Sequence, residues 1–515
     1  MNNSTTDLTQ RTFINAASSI LQNVVVMVVG LIVTPILVST LGAGRFGAWK
    51  ICQRYFTITS AVDGRATQAL KWTLANKQSS NDEVAKRRDV GCAITIWSCF
   101  LPILLAIGGT IAWFSPNLIH DLGVELSQLV RATCGILLLR QLFIPLGGIP
   151  EACLIGSNQP YWCSWMIAVS TLLESILLVG AAWIGWGLEG LATATLFGGL
   201  FYAILIFRVA RRRLPWLGVA RPDRAALKTF FSFSFWVFLW TFINKSILLS
   251  DILILGLVSS TSRVSQYFLT YFVMSMAIEI AAVLVSAGIP GLGGIVGSGD
   301  LNRAAGVRSE MMMVTWLVGT IVGSMILLWN HSFVELWAGP NIFLGATENL
   351  LLVLAMVQLI FIRTDAFIID VTLKIRNKVL IGAGSGITAI GLGYCFARFW
   401  RQDVVGLIIG LVAGRAILSI IYPRLVGKAL NTRSPQGHAW LFRPLIVMGL
   451  LFVVCFSISL YVRAGGWFSL VVYGIFSLGF IIALAFMVGL TQHQRASINI
   501  RVNSLLSAYS RQGEK

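Results

Sequence analysis

The chain has 515 residues, of which 56% are hydrophobic and only 12% are charged, and its formal net charge is +18. Soluble domains carry about 25% charged residues, and disordered chains are polar and highly charged, so the composition excludes both classes. A polytopic membrane protein remains, in which a positive net charge is explained by basic loops on the cytoplasmic side.

Fourteen segments are long and apolar enough to cross a bilayer as a helix, which takes about 20 mostly apolar residues. In chain order they are 14–40, 47–75, 90–114, 126–150, 160–185, 188–209, 229–256, 264–290, 309–331, 347–372, 379–399, 404–427, 443–463 and 467–490. A helix satisfies its own backbone hydrogen bonds inside lipid, so runs of this length are expected to be helical. The sequence therefore predicts an all-α polytopic membrane protein with about 14 transmembrane helices.

The loops predict the orientation of these helices. An even number of spans places both termini on one side, and most of the loop Lys and Arg residues fall on that side. The outer segments carry only Arg45, Arg131, Arg263, Arg398, Arg401 and Arg463. Since cytoplasmic loops are enriched in Lys and Arg, both termini are predicted to be cytoplasmic.

The stretches around Arg45 and Arg263 are similar. Each Arg follows an apolar helix and a short Gly- or Ser-rich turn, and the same offset aligns Trp49 with Tyr267. We interpret helices 7–12 as a repeat of helices 1–6 that starts from the same face, as in transporters with parallel repeats; chance similarity between apolar segments is the alternative. The predicted parts are an N-terminal lobe at 1–213, a C-terminal lobe at 214–433, and helices 13 and 14 with a cytoplasmic tail at 434–515.

Several basic residues fall within the predicted spans, where a central charge costs at least about 2.5–3.5 kcal/mol. They are Lys50, Arg54, Arg65 and Lys71 in helix 2, and Arg140, Lys245, Arg363 and Arg415 elsewhere. The four residues of helix 2 share one face of an ideal helix, whereas Asp63 lies on the other side. A cationic face inside a bundle favours an anionic ligand in a hydrated cavity, although Lys50 and Lys71 are also close enough to helix ends to snorkel to the interface. The other alternative is that carboxylates from neighbouring helices pair with these cations: Asp251, Glu279, Glu310, Asp365 and Asp370.

These charges define the candidate site. The predicted substrate-binding residues are Lys50, Arg54, Arg65, Lys71, Lys245, Arg363 and Arg415. Carboxylates inside a bundle are usual drivers of transport, so coupling to a gradient of protons or another ion is assigned to candidate acids. Those acids are Asp63, Asp251, Glu279 and Asp365, for each of which a purely structural ion pair is the alternative.

The remaining motifs indicate packing rather than catalysis. The sequence contains neither GxxxxGK[ST] nor HExxH, and its Cys and His residues lack the spacing of a zinc site. Gly406, Gly410 and Gly414 recur at four-residue spacing directly before Arg415, which predicts a face for close helix contact. No catalytic residue, metal ligand, cofactor or nucleic-acid partner is predicted.

Three stretches carry a family resemblance. They are LGAGRFGAW at 41–49, LIGSNQ at 154–159 followed by two helices that join at 185–192, and SDILILG at 250–256 followed by Tyr267. In this order and spacing they resemble the polysaccharide-transport branch of the multidrug/oligosaccharidyl-lipid/polysaccharide exporter superfamily, which includes Wzx-type flippases. The third stretch departs from the family pattern, because Val264-Ser265 lacks the usual Gly before the Tyr.

The resemblance implies two six-helix lobes around a central cavity and alternating access. It also implies transport of undecaprenyl-pyrophosphate-linked repeat units from the inner to the outer leaflet of the bacterial cytoplasmic membrane, for O-antigen, capsule or exopolysaccharide. Arg54 and Arg65 would then bind the diphosphate or the sugar, with the other cations contributing to the potential of the cavity. Partners implied are membrane lipids and the polysaccharide polymerase and chain-length proteins, and helices 13 and 14 would guide the lipid tail.

Two alternatives stay open. A drug exporter of the same superfamily usually carries a functional carboxylate in helix 1, whereas residues 14–40 contain no charged residue. A membrane enzyme such as a polymerase or ligase usually has a long outer loop with basic groups, whereas the longest outer loop here spans only about residues 115–125. The sequence therefore favours a flippase over an enzyme.

Overall fold

A computed structural model of the protein describes residues 2–60, 66–77, 82–120, 123–287, 292, 295–296, 298–371, 375–400, 403–430, 439–492 and 494–495. The helices are α1 (Asn2–Thr59), α2 (Ala66–Asn76), α3 (Glu83–Phe114), α4 (Val124–Gly156), α5 (Pro160–Trp183), α6 (Gly187–Arg213), α7 (Arg224–Val258), α8 (Thr261–Ala287), α9 (Leu301–Ala338), α10 (Ala346–Val371), α11 (Ile375–Phe399), α12 (Asp403–Ala429), α13 (Ala439–Ser459) and α14 (Trp467–Leu484). The described residues form no strand. The predicted site residues Asp63 and Arg65 lie outside the described residues.

The all-α polytopic fold is confirmed. Eleven helices of the described chain are long and apolar enough to cross a membrane, and 249–258 and 443–459 are shorter apolar helices. Every predicted span overlaps a helix, but the count of fourteen stays a prediction. The first two spans meet within α1, which turns at Gly42 with φ 77° and ψ 160°, a backbone conformation that glycine adopts without steric cost.

Three helices begin at an aspartate that lies a few residues before a predicted span. The carboxylate of Asp82 accepts a hydrogen bond from the backbone N–H of Ala85 at 2.9 Å, at the start of α3. Asp223 and Asp300 cap α7 and α9 in the same way, over 2.6 Å and 3.0 Å. Each cap satisfies a backbone donor that the first helical turn leaves unpaired, and so fixes where the helix begins.

By its internal contacts the chain divides into two compact units. Unit 1 comprises Met1–Gln266 and Gly393–Asp403, and unit 2 comprises Tyr267–Leu392 and Val404–Lys515. The lobe boundaries expected from the sequence repeat stay a prediction.

The core of unit 1 lies where α2, α3, α4 and α6 meet. It is built from small and branched apolar side chains: Ala69, Leu70, Ala93, Cys153, Leu154, Ile206 and Ala210. Small side chains let helices approach closely inside a membrane, where packing replaces the hydrophobic effect as the driving force. This packing holds α2 against α4 and so positions Lys71.

Unit 2 contains two clusters of buried apolar residues. The first joins α9, α10 and α12 around Ile368, Tyr422 and Val426. The second packs α13 and α14 onto α9 around Trp316, whose indole Nε1 donates a hydrogen bond to the carbonyl oxygen of Pro444 at 2.9 Å. This hydrogen bond satisfies the indole N–H of a fully buried side chain.

Candidate functional site

Arg54 and Asp251 face each other within unit 1. Arg54 is on α1 and Asp251 on α7, and the distance from Arg54 Nη2 to Asp251 Oδ1 is 3.9 Å. This is too long for a hydrogen bond. The side chain of Arg54 is 22% exposed and that of Asp251 only 6%. Arg54 Nε is buried and makes no hydrogen bond within the described part of the chain. The guanidinium therefore has a carboxylate nearby and keeps donors that no acceptor among the described residues uses.

Lys50 precedes Arg54 by one helical turn, so the two share the same face of α1. The Lys50 ammonium lies 5.2 Å from the centroid of the Phe46 ring. The predicted cationic face of helix 2 has four residues, and two of them, Lys50 and Arg54, lie on α1. The structure thus places two basic side chains on one face of α1, and their binding of an anionic ligand stays a prediction.

Lys245 binds the end of α1. Its ammonium, on α7, donates hydrogen bonds to the carbonyl oxygen of Thr57 at 3.1 Å and to the hydroxyl of Ser60 at 2.6 Å. Gln141 of α4 donates to the carbonyl oxygen of Phe56 at 2.7 Å. Carbonyls in the last turn of a helix have no partner within the helix, and inside a membrane they must find one. Lys245 and Gln141 supply these partners and stabilise the end of α1 next to Arg54.

Lys71 has a carboxylate partner of its own. Its ammonium lies 2.8 Å from Oε1 of Glu151 on α4. The hydroxyl of Tyr202 on α6 donates to Oε2 of the same carboxylate, also at 2.8 Å. This arrangement satisfies both oxygens of Glu151 and compensates the charge of Lys71, so it has the character of a structural ion pair.

Arg363 and Asp365 take part in separate ion pairs of unit 2. Arg363 Nη1 lies 2.8 Å from Oε1 of Glu279 on α8, and the Glu279 side chain is 62% exposed. Asp365 accepts two hydrogen bonds at Oδ1 from Arg308 of α9, over 2.9 Å and 3.2 Å. The Asp365 side chain is only 3% exposed, so its charge is compensated in the interior.

Two further cations that form ion pairs were not expected from the sequence. Arg308 and Lys378 each lie one residue before a predicted span, but Arg308 pairs with Asp365 and Lys378 is almost fully buried. The Lys378 ammonium lies 2.7 Å from Oδ1 of Asp370 and donates to the carbonyl oxygen of Ala366 at 3.1 Å. Both cations lie within a few helical turns of an acid in a predicted span. A count of charges in each loop does not use this proximity.

Arg415 lies on α12 beside the predicted glycine face. Its side chain is buried. Next to it, Gly414 packs against Ala389 of α11 so closely that a Cβ would overlap the Ala389 backbone. The Ser385 hydroxyl donates to the Gly414 carbonyl at 2.9 Å. The four-residue glycine spacing thus ends in a close helix contact that places Arg415 inside unit 2.

Four of the candidate acids lie beside basic side chains. Asp251, Glu279, Asp365 and Asp370 each lie within 4.0 Å of a basic side chain. Asp251 and Glu279 pair with predicted intramembrane cations, whereas Asp365 and Asp370 pair with cations outside that set. The binding and coupling roles stay predictions. Within the described ranges, no group of three or more His, Cys, Asp or Glu side chains is arranged to hold a metal ion.

Comparison with known proteins shows which folds and families the chain is similar to. Residues 164–305, which span α5 to the start of α9, match the family model of a polysaccharide biosynthesis protein. The structure is similar to an inward-facing multidrug resistance MATE family transporter of the MOP superfamily, with a TM-score of 0.65, 14% identity, and coverage of 82% of this chain and 99% of that one. Together with the family match, this similarity confirms the family resemblance that the sequence predicts. A second similar structure is the lipid II flippase MurJ in an inward closed conformation, with a TM-score of 0.68, 12% identity, and coverage of 92% of this chain and 99% of that one. A eukaryotic MATE transporter, AtDTX14, is similar with a TM-score of 0.57 and 14% identity over 87% of this chain and 98% of that one.

No match to a curated protein sequence was found. The similar structures carry the names of transporters and of a flippase rather than of enzymes. At these identities they define the fold, and the match of residues 164–305 is the one that mentions polysaccharide.

Proposed function

We propose that this protein moves a lipid-linked oligosaccharide from the inner to the outer leaflet of the bacterial cytoplasmic membrane by alternating access. The observation that carries the proposal is the match of residues 164–305 to a polysaccharide biosynthesis family, on a chain whose fold is similar to that of a lipid II flippase. The fold alone would suit a drug exporter equally well. The family match favours a glycan cargo, and the chemistry of the site favours an anionic one.

The cargo on this proposal is an undecaprenyl-pyrophosphate-linked repeat unit for a surface polysaccharide, such as O-antigen, capsule or exopolysaccharide. Arg54 is the best placed of the predicted residues to bind the diphosphate. Its guanidinium is 3.9 Å from Asp251, and its Nε has no acceptor among the described residues. A planar guanidinium can bind the paired oxygens of a phosphate in a bidentate way. Lys50, one turn away on the same face of α1, is the second candidate.

The other predicted binding residues act at longer range on this proposal. Lys71 and Arg363 each bind a carboxylate at 2.8 Å, so a phosphate would have to displace that partner. Lys245 stabilises the end of α1, and Arg415 contributes charge from within unit 2. We therefore rank Arg54 first, Lys50 second and the remaining cations as contributors to the electrostatic potential.

Asp251 is the acid best placed for ion coupling. Its carboxylate lies 3.9 Å from Arg54 and attracts the guanidinium. Binding of a proton or a metal cation at Asp251 would weaken this attraction. Arg54 would then be released for the anionic cargo, which links the ion gradient to substrate binding. Asp365 and Glu279 are held at 2.9 Å and 2.8 Å by their own arginines and fit a structural role better.

The remaining expectations belong to the same proposal. Both termini are cytoplasmic, helices 13 and 14 guide the lipid tail, and the polymerase and chain-length proteins act on the cargo after it reaches the outer leaflet. None of these steps requires a cofactor or chemistry on the glycan by this chain.

A deletion strain tests the function. Lipids extracted from it are analysed by mass spectrometry, and the gene is restored in parallel on a plasmid. We expect one intact pyrophosphate-linked repeat unit to accumulate while the surface polymer is lost. We also expect that unit to resist an enzyme added from outside, because an unflipped unit stays in the inner leaflet.

The outcomes separate the alternatives. An accumulated unit that the external enzyme can modify would place the defect after flipping and favour a polymerase or ligase. Unchanged lipids together with increased sensitivity to cationic drugs would favour an exporter. Either result overturns the proposed function.

A further inference from the structure

Unit 1 contains an open apolar groove of about 940 Å³ between α3, α4 and α6. Its walls include Leu146 of α4 and Ile204 and Phe207 of α6, whose side chains are 51%, 52% and 47% exposed. These side chains lie on helices that are apolar enough to cross a membrane. The groove therefore opens to the hydrocarbon of the bilayer.

One end of this groove is strongly basic. Arg208, Arg211 and Arg212 line it from the last turns of α6. Their spacing of three and four residues places them on one helix face. All three are exposed, and within the described residues none has an ion-pair or hydrogen-bond partner. The next residue, Arg213, instead lies over the Trp162 ring at 4.4 Å and is not part of the lining.

The basic end is closed by the loop that follows α6. Arg87 of α3 donates from Nε to the carbonyl oxygen of Trp216 at 2.8 Å, and its own carbonyl accepts from the N–H of Ala220 at 3.1 Å. At Gly91 the Ala220 carbonyl approaches so closely that a side chain would overlap it. These contacts fix the loop against α3, so the cleft is formed before any ligand arrives, which lowers the entropic cost of binding.

We propose that this groove binds one anionic phospholipid of the cytoplasmic leaflet. The three unpartnered guanidinium groups bind the phosphate of the head group, and the apolar walls take an acyl chain. Basic pockets between transmembrane helices on the cytoplasmic side are suited to anionic head groups, and Lys and Arg counts place this end of α6 on that side. The volume of about 940 Å³ is near the upper end of the roughly 300–1,000 Å³ of ordinary ligand pockets.

The site uses residues other than Arg54 and Asp251, so it does not depend on the proposed cargo. A lipid held there joins α3, α4 and α6 and stabilises unit 1 at the cytoplasmic interface. The chemistry also explains why three neighbouring arginines are left without acidic partners, although acids pair with cations elsewhere in the chain.

Native mass spectrometry of the full-length protein in detergent tests the proposal. The probes are phosphatidylglycerol and phosphatidylcholine with the same acyl chains. We expect phosphatidylglycerol to bind in a one-to-one complex, and the triple variant R208Q/R211Q/R212Q to weaken its binding by about tenfold to a hundredfold. Phosphatidylcholine binding should not change.

A second triple variant is the matched control, because it removes the same charge outside the groove. R221Q/R303Q/R424Q replaces three exposed arginines of predicted cytoplasmic segments, and we expect it to keep most of the affinity for phosphatidylglycerol. An equal loss in both triples would mean that only net charge matters and would overturn the site. Retained thermal stability shows that each variant is folded.

Two further measurements test the apolar walls and the identity of the lipid. Ile204→Trp fills the groove and keeps the arginines, so it should also weaken phosphatidylglycerol binding. Unchanged binding in this variant would show that the groove takes no acyl chain and would contradict the proposal. Displacement of phosphatidylglycerol by an equal concentration of undecaprenyl phosphate would identify the carrier lipid as the occupant and would also contradict it.

Discussion

The hydroxyl of Ser265, at the start of α8, donates a hydrogen bond to the carbonyl oxygen of Ala43 in α1. A reciprocal contact joins the same two segments, because Gly47 packs directly against the backbone of Thr261. The offset that aligns Arg45 with Arg263 also aligns Ala43 with Thr261 and Gly47 with Ser265.

Each position therefore contacts the equivalent of the other. Such reciprocal contacts are what a two-fold axis produces, as in an isologous dimer interface. Phe46 and Val264, which the same offset aligns, are both fully buried beside this contact. The repeat itself stays a prediction, and what the structure shows is a close backbone contact between α1 and the start of α8.

Gly47→Ala should destabilise the protein. A Cβ at this position would overlap the carbonyl of Thr261, and overpacking of this kind costs typically about 1–3 kcal/mol. Gly44→Ala is the control, because its Cβ would lie 3.6 Å from the Thr261 hydroxyl, an ordinary contact. Thermal unfolding in detergent measures both. Equal melting temperatures for the two variants would show that the contact is not a close one.

The pair of Lys71 and Glu151 should behave as a structural unit. Lys71→Met leaves the carboxylate of Glu151 without its cation and should cost about 1.5–3 kcal/mol of stability. The double variant K71M/E151Q should recover part of that loss, because no uncompensated charge remains. Thermal unfolding of both variants measures the difference.

A transport measurement separates this role from substrate binding. If the pair is structural, the double variant should restore surface polymer in a deletion strain at near wild-type levels. Loss of polymer in a stable, well-expressed double variant would instead assign Lys71 to the cargo, as the sequence analysis predicts.

Gly414→Ala should separate α11 from α12. Its Cβ would overlap the backbone of Ala389, whereas a Cβ on Gly384 or Gly391 would meet no neighbouring atom of the described residues within 4 Å. We expect lowered thermal stability for Gly414→Ala, by about 1–3 kcal/mol, and no loss for Gly384→Ala or Gly391→Ala. A stable Gly414→Ala protein would contradict the close packing that positions Arg415.

The fold was predictable because the apolar runs are long and separated by basic or glycine-rich turns. Every predicted span overlaps a helix, since backbone hydrogen bonding inside lipid leaves few other structures for such a run. The LGAG stretch between the first two predicted spans coincides with the turn of α1 at Gly42. The helix starts at Asp82, Asp223 and Asp300 lie before the predicted spans, because polar caps extend helices beyond the apolar segment.

Which acid pairs with which basic residue could not be predicted from the sequence as well as the helices could. Helix periodicity places Lys50 and Arg54 on one face, but it contains no information about which acid of another helix meets them. Glu151 was not considered as a partner for Lys71, although it binds the ammonium at 2.8 Å. Ion pairs between distant segments depend on tertiary packing, which a single sequence does not specify.

The most direct test of the central claim is the movement of a fluorescent lipid-linked oligosaccharide across proteoliposomes that contain the purified protein. The wild type should move the lipid faster than protein-free liposomes do. Arg54→Gln should slow this movement by about tenfold or more, the loss expected when a charge-assisted hydrogen bond to phosphate is removed. Arg398→Gln, at an exposed position of α11, should keep the wild-type rate. Movement no faster than in empty liposomes would contradict the flippase assignment, and an unchanged rate in Arg54→Gln would contradict the site.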